Sequence, residues 1–240
     1  MNTWQGAWCL AKEELRRIRW KHIVTLIFIG YLLIFLVPMF ADSREDNSTF
    51  AFWAMDFITV SLLPMLGLMS TQNSGIYWKM DSFTRKLAAW RTMPITIKQI
   101  ALGRIVLYLT NGLIAKIVFF TSYYLFARSL GANMRLMDFV LYALFWISLS
   151  VAIGIIYLYF ETGYSGIKYF WVCMVISLLL LAGMVLYSYT TRDSLVILSY
   201  EIIQQGGWWL PLIGVLLGAA SFMIVRRAME KKLRTRSYTS

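Results

Sequence analysis

The sequence predicts an all-α, polytopic membrane protein with six transmembrane helices. An amphipathic amino-terminal helix lies at the interface, a further short helix lies on the cytoplasmic side, and both termini are cytoplasmic. Three observations carry this. The 240 residues are 59% hydrophobic and 15% charged, whereas a soluble domain is roughly half apolar and about a quarter charged, so the chain has too little polar surface to cover itself in water. Five stretches carry no formal charge, Ile23–Ala41, Phe57–Trp78, Phe139–Phe160, Tyr169–Thr191 and Ile202–Val225, and a sixth, Ile105–Ala127, is interrupted only by Lys116. The basic residues alternate with these stretches. Of 23 Lys and Arg, 18 fall on one set of flanks and four on the other, the asymmetry expected when the cytoplasmic side is the basic side.

A helix needs ~20 apolar residues to cross a ~30 Å hydrocarbon core, which sets the spans at about 23–40, 50–71, 104–127, 139–160, 168–189 and 208–225 in a single domain. The same composition excludes an ordinary soluble enzyme, and its aliphatic and aromatic richness excludes a disordered basic chain. Two cysteines, Cys9 and Cys173, are too few for a disulfide framework or thiolate metal site.

In residues 1–22, Trp4, Trp8, Ala11, Leu15 and Ile18 recur at helical spacing while Lys12, Glu13, Arg16 and Arg17 face elsewhere. That pattern predicts an interfacial helix with its indoles at headgroup depth. The first span has a basic flank and a bulky Val37-Pro38-Met39-Phe40 exit, so it is expected to be a retained anchor rather than a cleaved signal. The loops outside are too short to fold alone. His22 is the one histidine; at a basic boundary it reads as a flank residue. Neither a nucleophile–base pair nor a G-x-x-x-x-G-K-[ST] phosphate loop is present, so the chain is expected to catalyse nothing itself and to hold no cofactor.

Residues 72–103, between spans two and three, are the informative loop. Asp81 or Ser82 is a suitable N-cap and Pro94 disfavours helix at Met93, predicting a helix of about 82–92. Phe83, Leu87 and Trp90 share one face, flanked by Arg85, Lys86 and Arg91. Thr96 and Gln99 have capping-box spacing, so the third helix is expected to start there. A basic amphipathic helix ending in Met93-Pro94-Ile95-Thr96, directly after span two of a six-span chain, resembles the type-2 ABC transporter permeases. The more usual motif reads Leu-Leu-Ser-Leu-Pro; Ala89-Trp90-Arg91-Thr92-Met93-Pro94 departs from it in residues while keeping its spacing and proline.

The resemblance implies that Phe83, Arg85, Lys86, Leu87, Trp90, Arg91 and Pro94 belong to a coupling helix that docks on a separate cytoplasmic ATP-binding subunit, in two copies, which would carry ATP and Mg. It also implies a second permease subunit, identical or homologous, a bacterial plasma membrane, and an exported cargo such as an antimicrobial peptide. Residues 192–207 look like the family's short outer re-entrant hairpin, with Glu201 near the outer interface as a possible cargo contact. A secondary transporter and a membrane scaffold or regulator without an ATPase remain alternatives. The basic excess is a topology signal with some attraction to anionic lipid; it does not imply nucleic acid.

Two charges fall inside the spans. At ~1.5 Å per residue, Asp56 lies ~9 Å and Lys116 ~12 Å from the outer surface of a ~30 Å core, so an ion pair between them is expected. Gly214-x-x-x-Gly218 in the sixth span predicts close helix packing, within the chain rather than between chains.

Overall fold

Thr96 and Gln99 start the longest helix as their spacing predicts. The Thr96 side chain accepts from the Gln99 N–H at 3.3 Å and the Gln99 side chain accepts from the Thr96 N–H at 2.9 Å, so two otherwise orphaned amides are satisfied reciprocally. The computed structural model describes residues 2–17, 21–42, 49–69, 90, 95–131 and 134–235, and among these every regular element is helical. In chain order they are α1 (Thr3–Arg17), α2 (Lys21–Asp42), α3 (Thr49–Leu62), α4 (Met65–Met69), α5 (Ile97–Ser129), α6 (Leu136–Gly163), α7 (Gly166–Thr191), α8 (Leu195–Gln204) and α9 (Trp209–Thr235). Six segments are long and apolar enough to cross a membrane: His22–Phe40, Thr49–Met69, Ile97–Ser129, Leu136–Gly163, Gly166–Thr191 and Trp209–Thr235. This is the build of a multi-pass membrane protein, with every expected span present.

Two helices run on beyond the spans they contain, that of the third span from its expected cap. The third span begins at Ile97, so α5 has 33 residues and is about 50 Å long. The sixth runs on to Thr235. Both extensions are polar enough to leave a hydrocarbon layer, and they continue because each has protein to pack against. The second span is not one rod. Pro64 has no N–H to donate, and the chain turns at Leu63–Pro64 between α3 and α4.

Packing follows the small residues. A Cβ on Gly214 would meet the Phe145 carbonyl oxygen at 3.2 Å, and one on Gly218 the Ser148 carbonyl oxygen at 3.4 Å, so the glycine pair brings α9 onto α6 within the chain. Farther along, the Lys232 ammonium lies 4.5 Å from the centre of the Tyr164 ring. The two helices therefore run parallel, as the fourth and sixth of alternating crossings must.

The core has two halves. One gathers Phe40, Tyr123, Phe139, Tyr142, Trp146 and Tyr200, with ring centres of the Phe40–Tyr200 and Tyr142–Tyr200 pairs 5.8 and 5.6 Å apart. The other gathers Trp90, Ile100, Tyr108, Leu158, Met229 and Leu233. That second half brings the start of α5, the end of α6 and the end of α9 together, so Lys98, Arg104, Lys168, Lys231, Lys232 and Arg234 share one end of the bundle.

α1 joins this end through its small residues. Ala7 and Ala11 are buried, whereas Trp4 and Trp8 are exposed. A Cβ on Gly103 of α5 would meet the Ala7 carbonyl oxygen at 3.1 Å, an approach only small residues permit. The alanine face thus packs on protein, and the indoles point away from it. Ile18 lies outside the described residues.

Candidate functional site at the basic end

Of the loop between the second and third spans, Trp90 is described as helical and buried. Phe83, Arg85, Lys86, Leu87, Arg91 and Pro94 lie outside the described residues, so the 82–92 helix as a whole is not on view. The Trp90 side chain lines a narrow cleft with Leu10, Ala11 and Glu14 of α1 and Gly103, Arg104 and Leu107 of α5. It therefore sits on the chain's own α1–α5 junction, and its ring covers apolar surface there.

Beside it is a charged cluster that sequence reasoning missed. Arg104 donates through Nη1 to Glu14 Oε2 at 3.4 Å and through Nη2 to Glu161 Oε1 at 3.0 Å. All three residues are buried, Arg104 at 4% exposure. One guanidinium thus joins α1, α5 and α6, and its fork suits the task because it can address two carboxylates at once. The third span set from the sequence starts at residue 104, which leaves Arg104 as a charge at its boundary. The signal that could have found it was the Thr96–Gln99 capping box, which draws Arg104 two turns into a helix, together with glutamates on two basic-side segments.

The expected Asp56–Lys116 ion pair is not formed. Asp56, on α3, accepts from the Ser194 hydroxyl and from the amides of Leu195 and Val196 at 2.9 and 3.0 Å. It caps the amino terminus of α8, where unpaired N–H groups and the helix dipole favour a carboxylate. Ser194 supports the same end by accepting from the Val196 N–H at 3.1 Å. Lys116, wholly buried on α5, donates to the Tyr108 hydroxyl at 3.4 Å and lies 5.2 Å from the centre of that ring.

The physical reason is register and direction. Side chains lean toward the amino terminus of their own helix, and α3 and α5 are successive, oppositely directed crossings. Gly67 of α4 lies against Gly112 of α5, a register that sets Asp56 several residues farther from the Thr96 end than Lys116, and the lean of the two side chains widens that gap.

Tyr108 is the lysine's anchor. Its hydroxyl donates to the Ser150 carbonyl at 3.2 Å, beside the Pro64 break. Gly154 and Gly67 make room for it: a Cβ at Gly154 would overlap the Tyr108 hydroxyl, and one at Gly67 would press on its ring.

Glu201 is exposed on α8, whose buried face is Val196, Ile197, Ser199, Tyr200 and Ile203. Residues 192–207 form this one ten-residue helix and a turn at Gly206 (φ 90°), in place of the expected hairpin. Among the described residues, no cluster of three or more His, Cys, Asp or Glu could hold a metal ion. No family model matches the chain, and no curated protein or solved structure matches it either.

Proposed function

We propose that this chain is the permease subunit of a type-2 ABC exporter in a bacterial plasma membrane. Its basic end faces the cytoplasm and docks two copies of a separate ATPase subunit. That partner carries ATP and Mg, and a second permease subunit completes the path. Amphipathic molecules such as antimicrobial peptides are the cargo class.

The observation that carries this reading is the seat of Trp90. The loop resembling a coupling helix is anchored where Arg104 ties α1, α5 and α6, so a push on that loop reaches three helices through buried contacts, and α9 through its packing on α6. Trp90 then acts as the inward anchor of the coupling helix, with Phe83 and Leu87 on the same face, and Arg85 and Arg91 beside that face are left to meet the partner. A closing ATPase would move the joint as a unit and favour one of two arrangements of the helices.

The test is co-purification of the chain with a cytoplasmic ABC ATPase from the same cell, comparing wild type with Arg85→Glu/Arg91→Glu. The expected outcome is at least a tenfold loss of bound ATPase in the variant, with its helical content unchanged. An ATPase retained in full would remove the docking assignment. Trp90 is left unaltered in this test because its loss would loosen the α1–α5 junction itself.

A secondary carrier keeps one supporting observation: Lys116 is buried in a span with no carboxylate within ion-pair distance among the described residues, and such charges often mark transport paths. Uptake into vesicles driven by an ion gradient without ATP would favour that reading.

A further inference from the structure

We propose that the cleft between α2 and α5 binds a phospholipid with an anionic, hydroxyl-bearing headgroup, chemically of the phosphatidylglycerol class. The cleft has a volume of about 310 Å³, at the small end of ligand-sized sites. Asn111 lines it and is only 5% exposed, and neither its Nδ2 nor its Oδ1 has a hydrogen-bond partner. An amide buried with both ends unmet costs on the order of 1–3 kcal/mol, and hydrocarbon offers no water to relieve it.

The groups around the mouth show what can reach it. Ile23, Leu26, Ile27, Ile114 and Ile117 are all exposed, so the cleft opens onto a surface that, in a spanning chain, faces lipid. A partner for Asn111 must then arrive from the membrane on an apolar body.

The order of polarity along the cleft matches a lipid standing in one leaflet. α2 and α5 are the first and third crossings and run in the same sense. His22, Thr25 and Asn111 lie toward their starting ends, and Ile29, Ala115 and Val118 follow. From His22 to Ile29, and again from Asn111 to Val118, the separation is about 10 Å. The polar end is also the end where α1 exposes Lys12 and Arg16, which favours an anionic headgroup. The glycerol-ester carbonyl accepts from Asn111 Nδ2, a headgroup hydroxyl donates to Oδ1, and an acyl chain runs along Ile29 and Val118. A choline headgroup has no donor for Oδ1.

The test uses the full chain in nanodiscs of phosphatidylcholine alone and of phosphatidylcholine with phosphatidylglycerol, together with native mass spectrometry from detergent. Wild type is expected to retain phosphatidylglycerol in preference to phosphatidylcholine and to melt higher in the mixed bilayer. Asn111→Leu should lower the retained phosphatidylglycerol about tenfold, equivalent to ~1.4 kcal/mol, and lose the rise in melting, while melting no lower than wild type in phosphatidylcholine. Ile114→Trp, which fills the mouth without touching the amide, should lose the same preference. Equal retention of the two lipids by wild type, or a preference that survives in both variants, overturns the proposal. So does disulfide capture of two copies through Ile114→Cys, made without Cys9 and Cys173, because protein would then close the cleft.

Discussion

Arg104 and Lys116 are both buried cations on α5, twelve residues or about 18 Å apart, yet their surroundings are opposite. Arg104 lies between Glu14 and Glu161. Lys116 has a phenol and a ring face. The difference teaches where this molecule is held together and where it keeps a charge in reserve. A cation between two carboxylates is a joint, since removing it leaves two buried anions. A cation with no anion beside it among the described residues is a cost to folding.

The largest effect should come from breaking the joint. Arg104→Met removes the guanidinium shared by Glu14 and Glu161 and should cost about 3–5 kcal/mol, seen as a lower melting midpoint and loss of monodisperse protein in detergent. Arg104→Lys should recover only part of this, because an ammonium lacks the fork that reaches both carboxylates.

Asp56→Ala comes next. It removes three hydrogen bonds at the start of α8 and should cost about 2–3 kcal/mol. Hydrogen exchange should locate the loss at residues 195–197, and Asp56→Asn should keep roughly half of the effect of the native residue.

Lys116→Met should have the smallest effect, leaving stability within about 1 kcal/mol of wild type or raising it, since no buried anion is stranded. The Asp56→Ala/Lys116→Met double variant should then equal the sum of the singles to within about 0.5 kcal/mol. A Lys116→Met loss as large as that of Arg104→Met would erase the contrast.

Much of the architecture was legible from local signals. The Thr96–Gln99 capping box and the Gly214–Gly218 spacing each act through neighbours in sequence or through backbone approach, and both do in the structure what their spacing implies. The apolar runs were legible because the bilayer imposes one length on any spanning helix. The joint and the α8 cap were not. Glu14, Arg104 and Glu161 are 90 and 57 residues apart, and Asp56 and Ser194 are separated by 138; no local pattern links such pairs. Counting depth from expected span ends misplaced Asp56 and Lys116, because the register of the two crossings is set by the close approach of Gly67 and Gly112, which no local pattern announces.

What the sequence determined by itself is the solvent and the number of crossings: composition, charge-free lengths and the alternation of basic flanks depend only on counting along the chain. What only the tertiary structure decided is which polar groups meet. The Ala7–Ala11 face packs on α5 because it can approach Gly103, Arg104 was drawn inside because α5 starts at Ile97, and Asp56 meets α8 because the Gly67–Gly112 register sets it several residues away from the level of Lys116. Each choice rests on direction and close approach in three dimensions, and neither is written in the order of residues.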